Sequence, residues 1–218
     1  MQDKLDQIVQ ALKDKACTKQ SIYRQTMDIF NQMKTIAETI AEVLSAQFDD
    51  IDKNVIIEYK EINEFEFHLK FSGDLLIFTM HSNVTTFPQD HVILKSPYVQ
   101  EQKARGYFGS IMVYNFMADS LKYNRQNDPG YLLARRFVNQ EGHFYIEGVR
   151  QLSFLYPDIA KNKMNAEILK TFIESAMVIA IAHDLYAANY KDIAVIPLGQ
   201  KLMNQMVSGG AKVGFQMS

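Results

Sequence analysis

Two hydrophobic periods divide this chain. Over the first 48 residues apolar side chains recur at helical spacing. Leu5, Ile8, Val9 and Leu12 come first; after an interruption at "ACTKQS", Ile22, Ile29, Ile36 and Val43 follow at every seventh position. Thr26, Met33 and Ile40 form a companion stripe, and Phe30, Ala37 and Leu44 widen it. The pattern predicts helix over residues 2–48, broken near 16–21, with a second segment that contains no Gly or Pro. That segment would be about 40 Å long. Three stripes suit a helix lying on a sheet, and the seven-residue repeat suits a dimer seam.

Beyond "FDDIDKN" the period falls to two. "VIIEYKEI" (55–62) reads as a strand, and "FEFHLKF" alternates Phe65, Phe67, Leu69 and Phe71 inward with Glu66, His68 and Lys70 outward. "SGD" (72–74) is a turn into a strand over 75–87, whose two faces are both partly apolar. Residues 88–106 read as a long connection, a length found in functional or mobile loops. Ile111–Met117 is apolar on nearly every side and rich in strand formers. It is expected to run on through a bulge near Ala118–Ser120. "RQNDPG" (125–130) then turns the chain, so that Ser120–Asn124 forms a hairpin with Tyr131–Val138. "NQEG" leads into "HFYIEG", which Gln151–Tyr156 is expected to prolong. A second helix starts at the cap Asn165, with Glu167 in its first turn. A short last strand over 193–197, a helical turn and a Met-rich tail complete the reading.

This order predicts an α+β fold: a long N-terminal helix and a C-terminal helix packed on a largely antiparallel sheet of about six strands. Residues 1–50 form a packing or dimerising helical segment, and 51–218 the sheet domain that makes one globular unit with it. Sensor domains of the PAS and GAF kind share this general order of elements, a likeness of architecture that implies no function.

Composition narrows the classes. At 218 residues, 47% hydrophobic and 22% charged, the chain can bury a large core without a metal or disulfide staple, which excludes intrinsic disorder. A formal net charge of −2 makes a nucleic-acid partner unexpected. Cys17 is the one cysteine, so neither an internal disulfide nor a Cys-based zinc site can form. No stretch reads as a signal peptide or membrane span. The expectation is a soluble cytoplasmic protein, homodimeric through its N-terminal helix, with no membrane association and no cofactor.

Candidate chemistry is sparse. In a strand over 131–138 either Arg135 or Arg136 must face the core, and a buried guanidinium needs an anion. Glu147 and Asp119 are the expected ion-pair partners. A small anionic ligand such as a phosphate or carboxylate is the functional alternative, as is a protein partner. His81 and Asn83 share a strand face and, with Asn115 and Tyr123, would ring a polar pocket. The expected ligand-binding set is therefore His81, Asn83, Asn115, Arg135 and Arg136. "EYK" (Glu58 and Lys60) ends an apolar strand as the ExK half of a metal-dependent nuclease or hydrolase does, with Asp49, Asp50 or Asp52 as the further acid. The five histidines are scattered, with no paired metal-ligand spacing. Nucleophile-elbow and phosphate-loop motifs are absent. The leading expectation is a non-enzymatic binding or regulatory domain, with a metal-dependent hydrolase and a purely structural homodimer as alternatives.

Overall fold

A computed structural model describes residues 2–184, 187, 189–199, 201 and 202. The N-terminal helix covers the residues that the sequence pattern predicts, but without the expected break. Helix α1 (Gln2–Ala11) passes through a π-helical turn (Leu12–Cys17) straight into α2 (Thr18–Phe48). The interruption at "ACTKQS" is thus absorbed as a widened turn. No residue of that turn is buried, so nothing packs against it to penalise the looser geometry, and the Thr18 hydroxyl donates across it to the carbonyl of Asp14 at 2.9 Å.

Helix α2 lies along the sheet on Ile22, Thr26, Ile29, Phe30, Met33, Ala37 and Ala41. Ile36, Ile40 and Leu44 are half-buried at its margin and Val43 is exposed. The 3.6-residue period carries the heptad stripe off the core face within two repeats. Lys34 is buried on this face and fully engaged, its ammonium donating to Glu61 Oε1 at 2.6 Å and to the Asn63 carbonyl at 3.0 Å.

The sheet has six antiparallel strands: β1 (Ile57–Asn63), β2 (Glu66–Phe71), β3 (Asp74–Thr85), β4 (Phe108–Met117), β5 (Tyr131–Val138) and β6 (Phe144–Gly148). Each pairs with its chain neighbour, so the order across the sheet is the order along the chain. The fold is α+β, as the pattern predicts. The alternation of β2 appears as expected, with Phe67, Leu69 and Phe71 in the main core beneath α2 and α5 (Ala166–Ile181). Asn165 caps α5, its Oδ1 accepting from the Ile168 N–H at 2.8 Å. The fit of α2 to the sheet is close at Gly109, where a Cβ would come within 2.0 Å of Thr26 Oγ1.

A second, smaller core sits on the opposite face of β4 and β5, where Phe108 and Phe137 meet Ile93, Val99 and Ile159. The long connection after β3 supplies half of it. That segment holds α3 (Pro97–Glu101) and a 3-10 turn at Lys103–Gly106. Arg105 fixes it to the β5–β6 turn, with Nε donating to Glu141 Oε1 at 3.0 Å while Nη1 reaches the Tyr98 carbonyl and Glu101 at 2.9 Å each.

Four local expectations differ from the structure. Residues 118–122 are not bulged strand but α4 (Ala118–Lys122), a helical turn. The hairpin partner of β5 is therefore β4 itself, from Gly109↔Val138 to Asn115↔Tyr131. The bulge falls on β5, where Leu133 is the extra residue between the pairs Val113↔Ala134 and Tyr114↔Leu132. Gln151–Tyr156 does not extend β6: Arg150, at φ 50°, turns the backbone into a 3-10 turn, Arg150–Ser153. At the C-terminus, α6 (Tyr190–Ile193) covers the start of the expected last strand, and the described residues after it hold no strand. Residues 203–218 of the expected tail lie outside the described set.

Candidate functional site

The alternation of β5 sends Arg135 and Arg136 to opposite faces of the sheet. Arg135 points outward and forms an ion pair with Glu147, its register partner on β6. His91 stands 3.7 Å from the other oxygen of Glu147. That guanidinium is closed by its neighbour, in the manner of a cross-strand charge pair.

Arg136 points into the helix-covered core and is 0% exposed. Its register neighbours are Ile111 on β4 and Ile146 on β6, whose side chains have no hydrogen-bond acceptor. Above it the Phe172 ring of α5 lies 3.9 Å from the guanidinium carbon, and the Phe144 ring 5.2 Å. Nη1 donates to the thioether of Met164 at 3.3 Å, a weak acceptor. Nε and Nη2 have no hydrogen-bond partner, and no carboxylate of the described residues lies within ion-pair distance. Burial pushes this arginine down to about 9, opposed only by the nearby Tyr156 phenol. At neutral pH the side chain is thus a buried cation supported by two π faces and one sulfur. Lys34, also buried, has its charge answered; Arg136 does not.

The wall beside Arg136 is a short extended segment, 162–164, that runs antiparallel to the start of β6. Phe144 N–H donates to the Asn162 carbonyl at 3.0 Å, and Met164 N–H to the Gly142 carbonyl at 2.9 Å. Asn162 Nδ2 is buried without a partner. Three orphaned donor atoms, two on Arg136 and one on Asn162, therefore occur around one short stretch of chain. On its outer side Met164 lines a cavity of about 450 Å³ between α2 and the β5–β6 turn. Arg24, Asp28 and Gln32 of α2 and Lys163 complete the rim. Met164 is common to both, lining this cavity and meeting the buried guanidinium through its sulfur.

The other expected residues lie apart. His81 and Asn83 are exposed at the far end of β3, joined by the Asn83 N–H donating to His81 Nδ1 at 3.0 Å. Asn115 is opposite Leu76, five positions before His81 on β3, or about 17 Å along the strand. It is buried and donates to Asp74 Oδ1 at 3.2 Å, near His183. Burial pushes the Asp74 carboxyl up against the opposing pulls of Asn115 and His183. Tyr123 closes α4, with Lys122 and Arg125 over its ring. These four ring no common pocket with the arginines.

A second cleft of about 450 Å³ opens on the outer sheet face, between β1, β2 and α4. It gathers Glu58 and Lys60 of the ExK pattern with His68, Lys70, Asp119 and Lys122. Asp119, expected near an arginine, lines this cleft instead. Asp49, Asp50 and Asp52 do not line it; Asp52 caps its own turn, accepting from Asn54 N–H and Nδ2 at 2.9 Å each. No group of three or more His, Cys, Asp or Glu among the described residues is placed to hold a metal ion. Lys70 pairs with Glu58 at 3.4 Å, and the His68 ring is hydrogen-bonded to Glu66 at 2.7 Å.

Sequence reasoning misses Met164, Asn162 and Phe172, which owe their place to tertiary packing. No signal in the sequence marks them. Comparison with known proteins adds no relative: no family model, curated protein or solved structure matches the chain.

Proposed function

We propose that this chain is a binding domain for a small anion, a phosphate or carboxylate, that pairs with Arg136 after Met164 swings aside. One observation carries the reading: a fully buried guanidinium with two unpartnered donors, one methionine away from a cavity rimmed by Arg24 and Lys163. Leaving a cation buried and unpaired costs several kcal/mol, roughly, and two ring faces return only about 2 kcal/mol each when desolvated. An entering anion would supply the missing charge and acceptors, and a planar guanidinium suits the bidentate geometry of carboxylate and phosphate. Met164 suits the part of a displaceable plug, because a thioether side chain has three rotatable bonds and tolerates repacking. The rim carries one carboxylate, Asp28, against the cations Arg24 and Lys163, and the buried donors of Arg136 leave the balance in favour of an anion.

The test is thermal unfolding with inorganic phosphate and with succinate at constant ionic strength. The wild-type chain is expected to melt higher as either probe is raised, Met164→Ala to respond at lower concentration, and Arg136→Met not to respond. Equal shifts in wild type and Arg136→Met, or none in any of the three, overturn the proposal.

A further inference from the structure

Asn115 is a buried amide of which only one half has a partner. It is 2% exposed, on the helix-covered face of β4 opposite Leu76. Nδ2 donates to Asp74 Oδ1 at 3.2 Å, whereas Oδ1 is buried without a donor. Turning the amide over only exchanges one orphan for another, because an ionised carboxylate offers acceptors and no donor. The pair sits at a joint of the fold. Asp74 opens β3, with Phe71 of β2 and Met117 of β4 as its register partners. Just before it Ser72 holds φ 56° in the β2–β3 turn, and the Gly73 carbonyl accepts at 2.8 Å from the Ala118 N–H, where α4 starts.

We propose that Asp74 and Asn115 form a proton-operated lock at this joint. In the closed state a proton taken from solvent rests on Asp74 Oδ2 and is donated to Asn115 Oδ1. Asp74 Oδ1 keeps the amide N–H, so acid and amide close a ring of two hydrogen bonds. Loss of the proton opens the ring to a single bond and leaves a half-buried negative charge. The surroundings favour the closed state. Phe71 and Met117 flank Asp74 on either strand and carry no charge. On α2 the buried charge is Lys34, bound to Glu61, and on α4 Asp119 and Lys122 line the outer cleft. His183, just past α5, is the titratable group that faces Asp74 among the described residues, and its Nδ1–H is spent on the Ile179 carbonyl at 2.6 Å. Burial accordingly holds the Asp74 carboxyl above its ordinary value, against the pulls of Asn115 and His183. Between the ordinary value and the raised one, the folded chain keeps a proton that the unfolded chain has lost. The lock therefore adds stability as pH falls through the raised value and loses it above.

The test is an NMR titration of the Asp74 carboxyl carbon in the folded wild-type chain, with thermal unfolding over the same pH range. Asp74 is expected to titrate above the ordinary carboxylate value of about 4. Asp74→Asn supplies the missing N–H without a charge, and it is expected to melt about 2–4 °C higher than wild type at pH 8. The gap is expected to close as the pH is lowered and wild type takes up its proton. A purely structural contact would give a gap that does not change with pH, and that result overturns the proposal. So do an Asp74 that titrates at or below the ordinary value and an Asp74→Asn variant less stable than wild type at pH 8. The titration needs no variant, so it decides even where Asp74→Asn fails to fold. No arm involves Arg136 or an added anion, so this inference and the proposed function stand or fall separately.

Discussion

Replacing Arg136 by methionine is expected to make the protein more stable and, at the same time, unresponsive to anions. Burial pushes Arg136 down to about 9, which corresponds to a penalty on the order of 4 kcal/mol on its charged form. Methionine has a similar length, fills the same channel between Phe144 and Phe172, and leaves no donor unsatisfied. Exchanges of buried charge for apolar volume stabilise by ~1–4 kcal/mol in favourable cases. A gain of ~2 kcal/mol corresponds to a melting temperature about 4–8 °C higher for a chain of this length. The sign of the pH dependence follows from the depressed value. Below about pH 9 both the folded and unfolded chains hold the proton, and the penalty is present in full. Above it the folded chain releases the proton while the unfolded chain keeps it, so wild type gains stability and the gap to Arg136→Met closes. Urea denaturation of both proteins at pH 8 and pH 10.5 reads this directly, with the gap expected to shrink by ~2 kcal/mol. A mutant less stable than wild type at pH 8, by several kcal/mol, would refute the reasoning. It would mean that the two ring faces satisfy the cation and that the core is built around it.

Two further substitutions probe the frame that holds the site. Gly109→Ala drives a methyl group to 2.0 Å from Thr26 Oγ1 and is expected to cost ~1–3 kcal/mol by forcing α2 off β4, read as a fall in the urea midpoint; an unchanged midpoint would show that α2 shifts freely over the sheet. Asn165→Ala removes the cap of α5 and is expected to cost ~1 kcal/mol, or about 2–4 °C of melting temperature. Because α5 carries Phe172, the same variant is expected to titrate phosphate more weakly in the thermal-shift assay.

Much of the frame was legible because it is written in short-range periodicity. Phe67, Leu69 and Phe71 alternate as a half-buried strand must, and Asn165 sits where a helix needs a side-chain acceptor. The same rules bring either Arg135 or Arg136 inward, and they set Glu147 within reach of the outward one. What periodicity cannot carry is the identity of neighbours. Asn115 meets Asp74, 41 residues away, and Arg136 meets Met164, 28 residues away; neither pairing has a sequence signature. Residues 118–122 misled for a different reason. Ala118, Leu121 and Lys122 favour helix, but the strong strand pattern up to Met117 overrides that weak local preference until the chain is seen to turn. The bulge at Leu133 hid for the same reason, since it lets Leu133 and Ala134 both face the core without breaking the apolar run.

The meander sets the order in which this protein acquires a core. Every strand pairs with the one made just before it, so the sheet can assemble hairpin by hairpin as the chain emerges, with the connection from Thr85 to Phe108 the longest loop to close. Helix α2 is the exception: it is made first, and the strands it lies on, β1 to β4, are complete only at Met117, about 70 residues later. At translation rates of ~5–20 residues per second that interval is about 4–14 s, during which Ile22, Ile29, Phe30 and Met33 are covered only in part. The slowest hazard for this chain is therefore a waiting helix, and a chaperone or a neighbouring nascent copy is the natural company for it.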